Sequence, residues 1–288
     1  MRYFFEIFAC RVLGAYLFIS ILRLIRKNLN MNDINVDRFI RTQRLLGEER
    51  FQLLQSKMVT LVGLGAVGGY VMEGLVRAGV TRLRLVDFDT IQPSNLNRQI
   101  LALETTLGRP KAEVAGERAL AINGQCCVEV LQLFAGDDTM EQILDPEPDL
   151  LIDAIDSLNP KTQLLQAAYE RRIPTISSMG AALRTDPTLI RSGDLFATSN
   201  CPLARHLRKR LRRRGVGGGI SCVYSIETID FDYRLPEAET QLGETPYADR
   251  GRQRNVLGSL PTITGIFGLT IANQAIMRLA QLTKYPSD

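Results

Sequence analysis

Histidine and paired cysteines are scarce in this sequence. It has a single histidine, His206, and its five cysteines include no pair spaced as C-x-x-C. Zinc sites are commonly built from such pairs or from several histidines, so we expect no metal other than Mg2+. The sequence also offers no evident Ser-His or Cys-His pair for an enzymic nucleophile. An odd number of cysteines, without the spacing of a secreted scaffold, predicts a cytoplasmic location.

Most of the chain lacks a net charge of either sign. The protein has 288 residues and a net charge of +4. Residues 1–30 contain five basic groups against Glu6 alone, which accounts for the whole excess, so residues 31–288 balance to zero. Bulk charge therefore argues neither for nor against a nucleic-acid partner.

A long apolar run is missing as well. Residues 3–25 are strongly apolar, but charged residues interrupt them and leave only the eleven residues Val12–Leu22 unbroken. Such a run is too short to span a bilayer, so we expect no stable membrane partner. Three interpretations stay open for residues 1–30: a gene-model extension ahead of a true start at Met31, a segment lying on a membrane surface, or a targeting peptide.

Short apolar strands alternate with helical patterns through residues 59–177. This alternation predicts an α/β fold, with a Rossmann-like, doubly wound and mostly parallel sheet. We predict strands at 59–62, 82–86, 127–133, 149–153 and 173–177, and helices up to about Leu54 and at 68–78, 109–122, 138–144 and 159–171. Beyond Gly180 follow a basic helix at 201–214, a strand at 221–226, a polar stretch at 230–257 and a final helix. We therefore predict an N-terminal segment, 1–30, and one domain, 31–288, in which 181–288 form a C-terminal extension facing the substrate.

The most informative pattern is a glycine turn between two predicted strands. Strand 59–62 opens into Gly63-x-Gly65-x-x-Gly68, and 19 residues after Gly68 the strand 82–86 ends in Asp87-x-Asp89. A glycine turn at a helix start cradles phosphate, and an acid at the end of the second strand takes ribose hydroxyls. On its own, the pattern would most often indicate a nicotinamide or flavin oxidoreductase.

Charged groups follow the predicted strands in a way that hydride transfer does not explain. Arg98 and Lys111 can neutralise phosphate oxygens, and Asp156, beyond the fourth strand, can hold Mg2+ that bridges those oxygens. Asp153 lies closer to the strand, where a structural hydrogen-bond acceptor is an equally good interpretation. Two cations and further acids around a phosphate turn predict a site for a nucleoside triphosphate and for nucleotidyl transfer.

These motifs resemble a known superfamily, the ATP-dependent adenylating enzymes, which include ubiquitin-activating enzymes and the activators of bacterial sulfur-carrier proteins. The resemblance implies ATP and Mg2+ as cofactors. It rests on the glycine turn, Asp87-x-Asp89, Ser94-Asn95-Leu96-Asn97-Arg98-Gln99, Lys111 and Asp153-x-x-Asp156. The nucleotide-binding residues that it implies are Gly63, Gly65, Gly68, Asp87, Asp89, Asn95, Arg98, Lys111 and Asp156. The last three are also expected to be catalytic, with Asp156 as the metal ligand.

The resemblance further implies a homodimer. In homodimers of the superfamily, an arginine matched here by Arg41 reaches the ATP phosphates of the partner, where it stabilises the charge that builds during transfer. We therefore count Arg41 among the catalytic residues. Arg44 lies one helical turn further on and can take the same role.

Within the superfamily, the chain looks most like the tRNA threonylcarbamoyladenosine dehydratases, over about residues 38–280. The likeness rests on Phe39-x-Arg41-x-x-x-Leu45-x-Gly47, Asp194-Leu195 followed by Pro202-Leu203-Ala204, Ser221-Cys222-Val223-Tyr224-Ser225-x-Glu227, and Gly258-Ser259. It implies adenylation of the carboxylate of threonylcarbamoyladenosine in tRNA, followed by ring closure with overall loss of water. The implied partners are tRNA and, optionally, a cysteine-desulfurase or sulfur-acceptor system.

The predicted helix 201–214 is densely basic. Seven of the ten residues Arg205–Arg214 are Arg or Lys, while Leu203, Leu207 and Leu211 form an apolar stripe at helical spacing. A charge run is usually a solvated face, but this density favours a surface for RNA phosphates. The predicted RNA-binding residues are Arg205, Arg208, Lys209, Arg212 and Arg213.

An activator of a small sulfur-carrier or ubiquitin-like protein remains an alternative, because it would share every ATP motif. Many such activators hold a structural zinc with two C-x-x-C pairs, which this sequence lacks, and the basic helix also counts against this function. Cys222 matches a cysteine of the dehydratase-like motif, although its place in a predicted strand is more typical of buried packing.

Overall fold

The computed structural model describes residues 31–229 and 257–282, without the side chains of residues 31–37. The chain divides into two compact units, one ending at Gly47 and the other beginning at Glu48. The predictions for residues 1–30 and for residues 230–256 of the polar stretch lie outside the described residues.

The first unit contains helix α1, Met31–Leu46. It ends at Gly47, whose φ of 84° is in the left-handed region and whose amide donates to Gln43 O at 2.8 Å. Glycine adopts this conformation without the steric cost that a Cβ would add. The prediction of one helix reaching Leu54 is therefore wrong, and a separate helix α2, Glu48–Ser56, opens the second unit.

The second unit is built on a seven-stranded sheet. Its strands are β1 Met58–Val62, β2 Arg82–Val86, β3 Cys127–Leu131, β4 Leu150–Asp153, β5 Thr175–Ser178, β6 Ile190–Asp194 and β7 Ser221–Ser225. They lie in the order β3-β2-β1-β4-β5-β7-β6, and every neighbouring pair is parallel except β6 with β7. The predicted α/β fold with a doubly wound, mostly parallel sheet is confirmed.

Six further helices belong to the described part of this unit. They are α3 Gly68–Ala78, α4 Lys111–Ile122, α5 Met140–Leu144, α6 Leu158–Glu170, α7 Pro202–Arg213 and α8 Pro261–Leu279. Helix α3 has its predicted bounds and buries the predicted apolar face of Val71, Met72, Leu75 and Val76. Among the described residues, no helix is both long and apolar enough to cross a membrane.

Helix α8 packs closely against the start of α3. A Cβ added to Gly268 would lie 2.6 Å from Val67 O and 2.7 Å from Tyr70 Cβ, so only glycine lets the two helices approach this closely. Ile263, Phe267 and Ile271 of the same helix are buried. The prediction of a buried final helix that packs through its glycines is confirmed.

The strand order fixes where a ligand can bind. From β1 the chain builds outward through β2 and β3 on one side, then returns to build through β4 and β5 on the other. The crevice beyond the carboxyl ends of β1 and β4 is the usual ligand site of such sheets. It brings together Gly63–Gly68, Asp87–Asp89 and Ala154–Ser157, which follow β1, β2 and β4.

Strand β6 was not predicted from the sequence. It reads Ile-Arg-Ser-Gly-Asp, and its three central residues, 191–193, are exposed. The strand joins the edge of the sheet by antiparallel pairing with β7, with Ser192 opposite Val223. Backbone pairing at an edge needs no apolar alternation, which is the signal on which strand prediction depends.

Candidate active site

The glycine turn after β1 is tightly enclosed at two positions and open at the third. A Cβ added to Gly68 would lie 1.8 Å from Gly63 O, and one added to Gly63 would lie 2.8 Å from the carbonyl carbon of Ala154. At Gly65 the nearest atom to such a Cβ is Gln99 Nε2, 3.8 Å away. Packing therefore explains the first and last glycines, while the space at Gly65 allows phosphate to approach the backbone.

Asp87, immediately after β2, is buried and braces this turn. One carboxylate oxygen accepts from the Leu64 amide at 2.6 Å, and the other accepts from the Asp89 amide at 2.9 Å. Burial raises the pKa of Asp87, although the nearby Lys111 ammonium opposes that shift. A carboxylate has about four acceptor positions, so the side chain keeps capacity for ribose hydroxyls.

Lys111 lies within a cluster of acids at the same turn. It begins α4, its side chain is only 7% exposed, and its Nζ lies 3.0 Å from Asp89 Oδ2. Burial by itself lowers the pKa of Lys111, but the carboxylates of Asp87, Asp89 and Asp156 outweigh it and raise the pKa. The residue is therefore an ammonium at neutral pH. Four of the predicted site residues come together here.

A fully buried ion pair lies below the loop between β4 and α6. Lys161 Nζ is 2.6 Å from Asp153 Oδ2, and neither side chain is exposed. The same ammonium donates to Ile155 O at 2.9 Å, and Ser177 Oγ donates to Asp153 Oδ2 at 2.6 Å. The structural interpretation of Asp153 thus fits its contacts. Lys161 and Ser177 were not predicted from the sequence.

Asp156 is exposed on this loop at the carboxyl edge of the sheet. The loop is held on one side by Lys161 and on the other by the contact of Ala154 with Gly63. Mg2+ in nucleotide sites is commonly held by one or two carboxylates together with phosphate oxygens, and Asp156 fits that use. No group of three or more His, Cys, Asp and Glu side chains in the described ranges could hold a metal ion by itself.

Arg98 and Asn95 lie in the loop that follows Asp89. The buried Asn95 side chain accepts from the Gln92 amide at 3.1 Å and so shapes the 3-10 turn Pro93–Asn95. Arg98 is partly exposed, and its Nη1 donates to Ser94 O and to Asn97 Oδ1, both at 2.8 Å. In the described residues Arg98 has no carboxylate within 4 Å, so its charge is available to an anion.

Gln99 ends the motif Ser94–Gln99 but has no role in the sequence prediction. Its side chain is buried, and its Oε1 has no hydrogen-bond partner among the residues that the structure describes. The Nε2 atom of the same amide lies beside the open space at Gly65. An orphaned buried acceptor is costly. The site therefore suits a ligand that offers a donor here, such as a ribose hydroxyl, an adenine amino group or a metal-bound water.

Arg41 and Arg44 lie on α1 in the first unit, and both are exposed. Neither has an ion pair with a described residue. The choice between them for a role in trans stays a prediction.

Helix α7 presents most of its predicted RNA-binding residues to solvent. Arg205, Lys209, Arg212 and Arg213 are exposed, with the Arg212 guanidinium stacked 5.3 Å from the Phe196 ring centroid. Arg208 differs, because its Nη1 donates to Thr198 O at 2.8 Å and also to the Thr198 hydroxyl. It is partly buried and ties the helix to the preceding turn, so the exposed four are the better candidates for phosphate contacts.

The thiol of Cys222 is not available for nucleophilic chemistry. The residue is fully buried on β7, and burial raises its pKa to about 12. Cys201 is also buried, and its Sγ accepts from the Ala204 amide at 3.5 Å as the cap of α7. Both cysteines therefore have the burial that is typical of residues packed in the core.

Comparison with known proteins identifies the family. The ThiF family model matches residues 36–287. The chain belongs to the ThiF family. This finding confirms the superfamily resemblance carried by the glycine turn, Lys111 and Asp156. The ThiF-family chain is similar to the tRNA threonylcarbamoyladenosine dehydratase of Bacillus subtilis, at 38% identity over 190 residues, which are 66% of this chain and 75% of the relative.

Comparison with solved structures gives the same similarity to the dehydratases. The chain superposes with a TM-score of 0.76 and 32% identity on Escherichia coli tRNA N6-threonylcarbamoyladenosine dehydratase, covering 88% of this chain and 98% of that one. Structures of that enzyme include complexes with AMP and with ATP. The Escherichia coli molybdopterin-synthase adenylyltransferase is 33% identical, but only over 135 residues, 47% of this chain and 53% of the relative.

Proposed function

We propose that this chain dehydrates threonylcarbamoyladenosine in tRNA at the expense of ATP. The observation that carries the proposal is its likeness, over nearly the whole length, to the Escherichia coli dehydratase whose structures hold AMP and ATP. The acid-clustered Lys111 beside an open glycine turn supplies the chemistry that adenylation needs. Dependence on ATP and tRNA favours the cytoplasm as its location.

The reaction has two steps. An oxygen of the substrate carboxylate attacks the α-phosphorus of ATP, the bond to the departing oxygen breaks, and pyrophosphate leaves. A nucleophile within the modified nucleoside then attacks the activated acyl carbon, AMP leaves, and a ring closes. The net change is loss of water from the nucleoside. Because the nucleophile belongs to the substrate, no cysteine or serine of the enzyme is required, in keeping with the buried thiol of Cys222.

The residues of the site fit this chemistry by position and charge. In this proposal Lys111, beside Asp87 and Asp89, and Arg98, in the loop after Asp89, neutralise charge that develops on phosphate oxygens. Asp87 accepts from the ribose while it holds the turn in place. Enclosing an acyl-adenylate away from water protects it from hydrolysis, and correct positioning supplies much of the rate.

Asp156 is the residue that we assign to Mg2+. When bound there, the ion would supply positive charge that offsets the negative charge of the phosphates and so would help pyrophosphate to leave. The assignment is supported by the exposure of the Asp156 carboxylate and by its electrostatic interaction with the Lys111 ammonium. The loop contacts of Ala154 and Ile155 hold it there.

A homodimer and an RNA surface complete the proposal. Arg41 of one protomer would serve the ATP phosphates of its partner, and exposed basic residues of α7 would contact the tRNA backbone. A cysteine-desulfurase or sulfur-acceptor system is an optional partner.

Isotope exchange between ATP and pyrophosphate tests the function and separates it from its alternative. Exchange should depend on tRNA that carries threonylcarbamoyladenosine and should be absent with the same tRNA lacking the modification. Mass spectrometry of the nucleoside should show a loss of 18 Da, the mass of water. Exchange that instead depends on the carboxyl terminus of a sulfur-carrier protein would reject the dehydratase and support the carrier-activating alternative, toward which the molybdopterin-synthase adenylyltransferase similarity points.

A further inference from the structure

An open cavity of about 580 Å3 lies at the amino edge of the sheet, opposite the glycine turn. Pro174 and Thr175 line it just where β5 begins, and Ile220 lines it just before β7. Strands of five residues such as β7 span about 17 Å, so this cavity is separate from the nucleotide site at the carboxyl edge.

Three arginines from three different segments converge on this cavity. Arg172 follows α6, Arg214 follows α7, and Arg278 lies in the last turn of α8. None of the ion pairs found among the described residues involves them. Glu170 also lines the cavity, but it accepts from Gln166, whose other amide atom accepts from Arg214 at 2.8 Å. The cavity thus holds more positive than negative charge.

Arg172 follows α6 in a backbone conformation that does not favour arginine, so the helix end does not explain why arginine occupies this position. Its φ is 56°, in the left-handed region, and its amide donates to Tyr169 O at 3.0 Å while that of Ile173 donates to Ala168 O at 2.9 Å. These are the hydrogen bonds of a Schellman helix end, where glycine or asparagine is preferred because a larger side chain is strained. A function of the guanidinium would account for arginine at this position.

The cavity continues the basic surface of α7. Arg212 and Arg213 are exposed in the last turn of that helix, and Arg214 leads from it into the glycine-rich loop 215–219. Gly218 and Gly219 of this loop line the cavity and are exposed, so its mouth is open to a large ligand. The basic residues of α7 therefore continue through Arg214 to the amino edge of the sheet.

We propose that this arginine-lined cavity binds a backbone phosphate of the RNA substrate. Planar guanidinium groups bind phosphate through paired hydrogen bonds, and RNA backbone contacts are the main source of sequence-independent affinity. The inference rests on the proposed function, because the ligand is taken to be tRNA. It adds that the RNA is held at two edges of the sheet: the modified nucleoside at the carboxyl edge and part of the backbone at the amino edge.

The test is the salt dependence of tRNA binding by the variant R172N/R278Q. Asparagine suits the left-handed backbone at position 172, and glutamine is a good helix former at the exposed position 278, so the fold should be preserved. The control R50Q/R82Q removes the same charge at exposed positions on α2 and β2. Affinity for tRNA bearing threonylcarbamoyladenosine would be measured over a range of salt, with thermal melting to check folding.

The expected result is a slope of log affinity against log salt that is shallower by up to about 1.8 for R172N/R278Q, or about 0.9 per lost contact, with no such change for the control. A wild-type slope in a folded R172N/R278Q variant would overturn the inference. If the variant has the wild-type slope while the wild-type chain catalyses tRNA-dependent exchange, the cavity assignment fails and the proposed function stands. If wild type does not bind tRNA at all, both the cavity assignment and the proposed function fail.

Discussion

Lys161 Nζ and Asp153 Oδ2 lie 2.6 Å apart, with neither side chain reached by solvent. The pair is anchored further, because Lys161 also donates to Ile155 O and Asp153 accepts from Ser177. It therefore supports the loop of Asp156 from inside the protein. Removing one partner would leave the other as an unpaired charge in the core.

We predict that K161M lowers the free energy of unfolding by about 3–5 kcal/mol, the usual effect of breaking a buried pair. The double variant D153N/K161M should be less destabilised than K161M, because no charge is left unpaired. Urea unfolding followed by circular dichroism measures both. Equal losses in the single and double variants would contradict the assignment of the cost to the unpaired carboxylate.

R98A should reduce pyrophosphate exchange by roughly 10²- to 10³-fold, the usual loss when one donor to a charged transition state is removed. R109A is the matched control, since Arg109 is a nearby, partly exposed arginine that is paired with Glu117 at 2.5 Å. Its activity should stay close to that of wild type. Near-normal exchange by a folded R98A variant would make Arg98 an ordinary surface cation.

Mixed dimers test whether Arg41 acts in trans. R41A and D156A should each be inactive as homodimers, whereas subunits exchanged between them should recover part of the activity. Recovery is expected because one of the two sites in a heterodimer would hold both groups intact. Activity is measured after exchange of differently tagged subunits has been demonstrated by pull-down. If exchanged dimers stay inactive and R44A with D156A recovers activity, Arg44 has the role instead.

Arg208 and its exposed neighbours should respond differently to substitution. The triple variant R205S/K209S/R213S should make the salt slope of tRNA binding shallower by up to about 0.7–0.9 per lost contact and leave the melting temperature nearly unchanged. R208S should instead lower stability by about 1–3 kcal/mol, because it leaves the buried Thr198 oxygen atoms without their donor. A wild-type slope in the triple variant would make α7 a solvated face.

Two cysteines should differ in reactivity at pH 8. With a pKa of about 12, the Cys222 thiol would be ionised to only about 1 part in 10⁴, and it is also buried, whereas Cys127 is exposed. Iodoacetamide should therefore alkylate Cys127 but not Cys222 until the protein unfolds, as read by peptide mass spectrometry. Folding raises the pKa of Cys222 from 9.0, so between pH 9 and 12 the unfolded chain loses this proton more readily than the folded chain. The free energy of unfolding therefore keeps the full contribution of the neutral Cys222 thiol below pH 9 and loses it as the pH rises toward 12. Rapid modification of Cys222 in the folded state would contradict this.

Local sequence signals predicted the elements that frame the nucleotide site. Helix α3 was placed at its observed bounds because a glycine turn marks its start and an apolar face repeats with helical spacing. Edge strand β6 was missed because its pairing with β7 uses only the backbone. The break at Gly47 was missed because polar, helix-forming residues continue on both sides, although glycine is a known helix end.

Contacts between distant parts of the chain were harder to predict than the elements. The sequence identified Asp87 as a ligand-binding acid, but its hydrogen bond to the Leu64 amide depends on the register of β1 against β2. Arg208 reads as one more basic residue in a charged run, yet it points back to Thr198. Lys161 is not predicted at all, because nothing local shows that it reaches Asp153 below the strand end.

The contacts of Gly63 with Gly68 and with Ala154 have a mechanical consequence. Each leaves no room even for a methyl group, so an alanine at Gly63 or Gly68 would force apart the end of β1, the start of α3 and the loop after β4. We therefore expect the glycine turn and the loop that carries Asp156 to keep a close spacing. A change in the position of one of these segments is therefore expected to alter the other two, because the backbone atoms at Gly63 already touch both neighbours.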